Sequence, residues 1–383
     1  MQFNCIFRIS NQETKRKGDF HFFHFQSFKI IDMKKIVKQV VGIDVAQKEL
    51  VVCFGRMYDD WTPELYLGKT FANTLKGFEK LMVLVKKQTD ETVAVRFVME
   101  ATGVYHEALA YYLEEKSHEI SIVLPNKISN YMRTLDVKTI TDKTASEAIA
   151  RFSLERNLDQ WQKPKDHYRK IKQLTRERDQ LVYERTMVKN QLHAEQAEAY
   201  PNKSSVARIN DRIKMLNKQA SAIKEEITAL IAEEEEVKKN ADLICSLPGM
   251  GILTAAIILA ETNGFELIRN KRQLASYAGF DIKEKQSGTS VKGKPRISKR
   301  GNKHLRKALH MPSLSAARHD ERFKAIFVRL VSKHGIKMKA IVAVQRKLLE
   351  VAYILCKTNT VYNKKYLEKG DVKNGRTETM EIA

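Results

Sequence analysis

Seven residues, Val40-Val41-Gly42-Ile43-Asp44-Val45-Ala46, constrain this chain more than any other stretch. Val and Ile are β-branched and favour a pleated backbone, and the run is too short for a helix. A buried strand has no room for a lone carboxylate, because desolvating one costs several kcal/mol or more. Asp44 therefore either ends the strand as a turn residue or is one ligand of a cation. The residues that follow decide between these.

After Asp44, Leu50–Phe54 forms a second strand pattern and Tyr66–Phe71 a third. Asn73-Thr74 supplies a helix cap, and Leu75, Phe78, Leu81, Met82 and Val85 recur at helical spacing. A β-rich run from Thr92 to Met99 ends directly in Glu100, and a helix is expected from about Val104 to Lys116. A strand over Glu119–Leu124 stops at Pro125, and Thr141-Asp142 caps a helix running toward Leu158. Three strands able to form a meander, then alternating helices and strands, match a ribonuclease H-like mixed sheet. In that layout the first strand is central. Asp44 and Glu100 then sit at adjacent strand ends, with Asp142 at the start of the closing helix. Two carboxylates about 4 Å apart repel by roughly 4 kcal/mol at an effective dielectric of 20. All-oxygen ligands without His or Cys point to Mg²⁺, or Mn²⁺ in its place, and to phosphodiester chemistry.

From about Lys165 to Lys239 glycine vanishes and charge of both signs dominates. Leu174, Leu181 and Val188 fall seven apart. After a break at Tyr200-Pro201-Asn202, Val206, Ile209, Ile213, Leu216, Ala220, Ile223, Ile227 and Leu230 keep a three-four alternation. This spacing predicts an antiparallel coiled-coil hairpin, and its narrow apolar seam favours protein pairing. The segment Leu247-Pro248-Gly249-Met250-Gly251, set between helical patterns, has the shape of a helix-hairpin-helix. Gly249 and Gly251 would let backbone amides approach a phosphate. Beyond Arg272–Phe280 lies a segment dense in cations: Lys285, Lys292, Lys294, Arg296, Lys299, Arg300, Lys303 and Arg306. Small residues separate them. Ser287, followed by glycine, stands in this basic loop as one candidate nucleophile among several loop serines.

The 383 residues carry a formal net charge of +22, which in a large basic protein calls for a polyanion such as DNA or RNA. No long uncharged apolar run exists to anchor a membrane. Cys5, Cys53, Cys245 and Cys356 are scattered singly, without zinc or disulfide spacing, which fits a reducing cytosol. Residues 1–32 include the aromatic stretch Phe20–Phe28 and look foreign to the rest, so a natural start at Met33 is expected. The tail from 361 to 383 is polar and expected to be disordered.

The ordered motifs G-I-D-V-A, M-E-A-T-G-V-Y-H, T-D-K-T-A-S-E-A-I-A, L-P-G-M-G, L-A-S-Y-A-G, Q-S-G and I-S-K-R-G-N-K-H-L-R resemble those of a known family. They look like the DEDD transposases of the insertion-sequence family one-ten, relatives of the Piv-type DNA invertases. The resemblance spans Met33 to about Lys357. It implies a RuvC-like domain over 33–163, a coiled-coil hairpin over 164–240 and a mainly helical transposase domain over 241–360. It further implies DNA recombination in the bacterial cytoplasm through a covalent serine intermediate, with Mg²⁺ on the acidic domain. A composite site between subunits of a dimer or tetramer, and a guide RNA encoded by the element, belong to the same expectation. Carried over by motif, Asp44, Glu100 and Asp142 are the acids and Ser287 the nucleophile, with Ser298 its rival. One departure stands out. The family's K-T-D-x-x-D-A pattern places a fourth acid three residues after Asp142, where this chain has Ala145. Glu147 lies roughly 200° round the helix from that side chain and cannot simply substitute; Asp136 is a remote replacement if the preceding loop folds back. Two other readings stay open: a metal-dependent nuclease without a serine nucleophile, and a degenerate copy that binds nucleic acid without cutting it. A tyrosine recombinase is disfavoured, since no H-x-x-R pair precedes a late tyrosine in a suitable context.

Overall fold

The computed structural model describes residues 34–101, 103–135, 138–266, 268–284, 286–287, 291–293 and 295–363, with the backbone alone at 286, 287, 291 and 292. The expected start at Met33, Asp136, Lys285, Lys294 and most of the polar tail lie outside the described residues. The chain divides into two compact units, one ending at Lys163 and one beginning at Pro164.

The N-terminal unit opens with β1 (Ile36–Val45), β2 (Glu49–Tyr58) and β3 (Pro63–Ala72), an antiparallel meander. Then follow α1 (Leu75–Gln88), β4 (Val95–Glu100), α2 (Glu107–Glu115), β5 (Glu119–Val123), α3 (Pro125–Met132) and α4 (Asp142–Glu155). The strand order is β3-β2-β1-β4-β5, with β4 parallel to β1 and β5 parallel to β4. This is the ribonuclease H-like layout, with β1 at its centre. Helix α2 starts later than its apolar pattern suggests, because residues 103–106 form a turn first.

Period-two alternation sorts β1 between two cores. Val41, Ile43 and Val45 pack with Phe78, Leu81 and Leu109 from α1 and α2. Val40 faces the other way, into Cys53, Ala150 and Leu154 beneath α4. Gly42 shares that second face, where a Cβ would stand 2.4 Å from the Ala150 backbone nitrogen. The bare backbone there lets α4 lie directly on the central strand.

The C-terminal unit begins with α5 (Asp166–Gln196) and α6 (Lys203–Glu233). Arg185 donates to Asn217, and Arg212 further back along α6 donates to Gln191 further along α5, so the helices run antiparallel. Val188, Ile209 and Leu216 fill the seam between them. Next come α7 (Glu235–Cys245), α8 (Ile252–Thr262) and α9 (Lys271–Ala278). Short strands β6 (Ile282–Lys283), β7 (Gln286–Ser287), β8 (Val291–Lys292) and β9 (Arg296–Ile297) pair as β6 with β9 and β7 with β8. The chain continues through α10 (Lys303–Ala308), α11 (His310–His319), α12 (Glu321–His334) and α13 (Lys337–Thr358). One core joins Tyr168, Ile171, Ile223 and Ile227 at the roots of α5 and α6 to Ile258, Phe265, Leu305 and Leu348, so it runs across residue 240.

The helical stretches over 302–320 and 322–356 are each broken in two. Pro312 has no N–H to donate, which is harmless in the first turn of a new helix and costly inside a longer one, so α11 starts afresh after Leu309. Gly335, at φ 69°, ends α12 in the left-handed conformation.

Candidate functional site

Asp44, Glu100 and Asp142 come from three elements to one cleft of about 530 Å³. Asp44 follows Gly42 by two residues on the α4 side of β1, and Glu100 follows Val98 by two on β4, whose side chain packs against Ala148 and Ile149 of α4. Parallel pairing of Ile43 with Met99 brings the two strand ends side by side. Asp142 is placed by the start of α4, where Thr141 and Thr144 cap each other's backbone N–H groups.

Burial pushes the Asp44 carboxyl up, and the charges of Asp142 and then Glu100 push it further, to about 6; a hydrogen bond from the Val45 amide opposes this. Among the described residues no three His, Cys, Asp or Glu side chains are already drawn together as a ligand set. The donor chemistry nevertheless fits a hard divalent cation. Three carboxylates line one cleft, and their mutual repulsion is what such an ion relieves. Side-chain rotation would be needed for the three to reach one ion.

Ala145 lines the same cleft, one turn along α4 from Asp142. Glu147 does not. Its charge acts instead on the Cys53 thiol, which burial foremost pushes up to about 12. Asn126 and Ser129 of α3 and Arg133, its C-cap, also line the cleft. The motifs gave no sign of them, but their three-four spacing, opposite the buried Ile128, Tyr131 and Met132, marks them as one exposed face.

In the C-terminal unit, Ser287 lies in β7 and pairs with Val291. The rival Ser298 has an occupied hydroxyl: its Oγ donates to Asp281 at 2.7 Å and accepts from the Arg300 amide at 3.2 Å. It closes the base of the basic segment, where Ile282 also pairs with Ile297. Of the cations expected to meet phosphate, Arg296, Lys299, Arg300 and Lys303 are exposed, whereas Arg306 turns inward and donates to the Ala278 carbonyl at 2.7 Å. Lys292 lies in β8.

Gly249 and Gly251 differ. At Gly249 the backbone is left-handed (φ 80°) and a Cβ would meet the Pro312 carbonyl at 2.8 Å, so this glycine is explained by packing on α11. Gly251, the N-cap of α8, has nothing within 4 Å of its Cβ position and remains open to a phosphate.

A buried network at the foot of the basic segment had no sequence signal. Glu261 is 4% exposed. Its carboxylate accepts from Arg176 of α5 at 3.1 Å and from Asn302, the α10 cap, at 2.8 Å. Its backbone carbonyl accepts from the Tyr277 hydroxyl at 2.7 Å.

Comparison with known proteins gives this geometry a family. A model of the DEDD transposases, described as "Transposase", matches residues 41–201, and one described as "Transposase IS116/IS110/IS902 family" matches 241–327. The chain is 29% identical over 333 residues to the pilin gene-inverting protein of Moraxella bovis, covering 86% of this chain and 99% of that one. It is 25% identical over 147 residues to the uncharacterized 43.6 kDa protein of insertion element IS110 from Streptomyces coelicolor, 38% of this chain and 35% of the relative. Among solved structures, RuvC of T. thermophilus in complex with a Holliday junction substrate aligns with 32% of this chain and 99% of its own, at 9% identity and a TM-score of 0.25. With both halves matched, the chain belongs to the IS110 family of DEDD transposases, enzymes of DNA recombination.

Proposed function

We propose that this protein cuts and rejoins DNA through a covalent link between a DNA phosphate and Ser287, assisted by a divalent cation held by Asp44, Glu100 and Asp142. The observation that carries the reading is the convergence of those three acids, each from a different element, on one cleft. When bound, Mg²⁺ or Mn²⁺ would supply Lewis-acid polarisation of a phosphate oxygen. The Ser287 oxygen attacks phosphorus, the bond to the DNA oxygen breaks, and that oxygen leaves as a hydroxyl. Attack by a DNA hydroxyl on the serine phosphodiester then rejoins the strand and restores Ser287. Arg296, Lys299, Arg300 and Lys303, with Lys285, Lys292 and Lys294 from the same segment, offset phosphate charge along the path. Gly251 offers the open α8 N-terminus to a further phosphate, in the manner of a helix-hairpin-helix.

The name of the Moraxella relative, a gene-inverting protein, supports DNA inversion or transposition as the outcome. Pairing of copies through the α5–α6 coiled coil, choice of target by an RNA encoded with the gene, and action in the cytoplasm complete the reading.

The test is to trap the adduct. DNA carrying a recombination junction, incubated with protein and Mg²⁺, should yield a covalent protein–DNA species. Ser287→Ala should remove it and Ser298→Ala should retain it. Loss in Ser298→Ala alone would move the nucleophile, and strand cleavage without any adduct would make the enzyme a hydrolytic nuclease.

A further inference from the structure

A second charged concavity lies on the other side of the N-terminal sheet. Helix α1 and the edge strand β3 enclose a groove of about 870 Å³, lined by Lys69, Lys76, Glu79, Lys80, Val83 and Lys87 among others. On α1 the positions 76, 80, 83 and 87 follow a four-three-four spacing, which puts them on one stripe. At 1.5 Å per residue Lys76 and Lys80 are about 6 Å apart along the axis, and Lys87 about 16 Å from Lys76. Lys69 joins from β3, with its ammonium 5.8 Å from the Phe71 ring centre. Val83, 57% exposed, sits in the middle of the stripe.

Among the described residues none of these lysines is held in an ion pair. The ion pairs within the N-terminal unit, Lys34–Asp60, Arg56–Glu64, Arg96–Glu119 and Lys163–Glu114, leave all four out. Glu79 is the one acid among the lining side chains. Phe71, Phe78 and Leu81, beneath the groove, belong to the core that receives Val41, Ile43 and Val45. Asp44 and α4 occupy the opposite face, so the groove cannot hold the phosphate at the acids.

We propose that the α1–β3 groove binds the phosphate backbone of a DNA duplex away from the strand being cut. Four convergent ammonium groups against one carboxylate complement a polyanion. Lysine, a point charge without a fork, suits backbone contact without base reading. The proposal needs neither Ser287 nor the metal.

The experiment measures equilibrium binding of the full chain to a DNA duplex as a function of NaCl. Each lost phosphate contact lowers the slope of log K against log salt by about 0.9. Lys76→Gln/Lys80→Gln/Lys87→Gln should flatten the slope by about 2.7, while the matching Lys→Arg triple restores it. Glutamine keeps helix propensity, and a circular dichroism spectrum checks the fold. A control triple on the exposed face of α6, Lys203→Gln/Lys218→Gln/Lys224→Gln, removes the same charge and should leave the slope nearly unchanged. Equal flattening in the control would overturn the groove in favour of overall charge. An unchanged DNA slope would also overturn it, whether or not an RNA duplex or an acidic protein proved sensitive to the same triple. Adduct formation is scored separately: a flattened slope without any adduct would sink the serine reading and leave the groove standing.

Discussion

At residue scale the decisive position is 145. It lines the acid cleft as alanine, while Glu147 lies toward Cys53. Ala145→Asp should therefore add a ligand and tighten Mn²⁺ binding by roughly tenfold, readable by calorimetry. Glu147→Ala should leave recombination measurable, whereas Asp44→Ala and Glu100→Ala should abolish it. A Glu147→Ala protein as inactive as Asp44→Ala would mean that Glu147 reaches the site. Glu261 makes a second residue-scale case. Burial alone pushes its carboxyl up, but Lys172, Asn302 and Arg176 outweigh this and hold it below 4.5. A carboxyl whose folded value is depressed stabilises the fold above its unfolded value and loses that contribution as pH falls through the folded one. Glu261→Ala should cost about 2 kcal/mol near neutrality, since its surviving partners still reach water. The gap from the parent protein in urea midpoint should narrow as pH falls below 4.5.

At the scale of elements, the contact of α4 with β1 sets the site. Gly42 leaves no room for a methyl group against Ala150 and the Ser146 carbonyl. Gly42→Ala should cost about 3 kcal/mol through forced separation of strand and helix. Asp142 rides on that helix, so Mn²⁺ affinity should fall with stability. A variant that lost stability but kept Mn²⁺ affinity would show that the acids do not depend on this contact. The Gly was legible in the sequence as an interruption of an apolar run. That α4 was what approached it was not, because periodicity reports which face of an element is buried and not its neighbour.

For the whole molecule the charge of +22 predicts binding dominated by counterion release. With six phosphate contacts, affinity for duplex DNA should drop roughly a thousandfold between about 50 and 200 mM salt. A nearly salt-independent affinity would contradict this. The C-terminal unit shows how far sequence reading extends at this scale. The long antiparallel pair α5–α6 was legible because a seven-residue repeat and a Pro-containing break are local signals. The shared core that roots the pair among α8, α10 and α13 was hidden, since it gathers into one cluster residues more than a hundred positions apart, such as Tyr168 and Leu348.

The sequence by itself determined the strands and helices that carry Asp44, Glu100 and Asp142, the capped start of α4, and the absence of an acid at 145. Each is a matter of residue type and local spacing. Tertiary structure alone decided that Ala145 faces the cleft, that Ser298 and Arg306 are committed to internal hydrogen bonds, and that lysines from β3 and α1 converge on one groove. Those outcomes depend on which side chains meet across elements, and a linear pattern has no term for a neighbour distant in the chain.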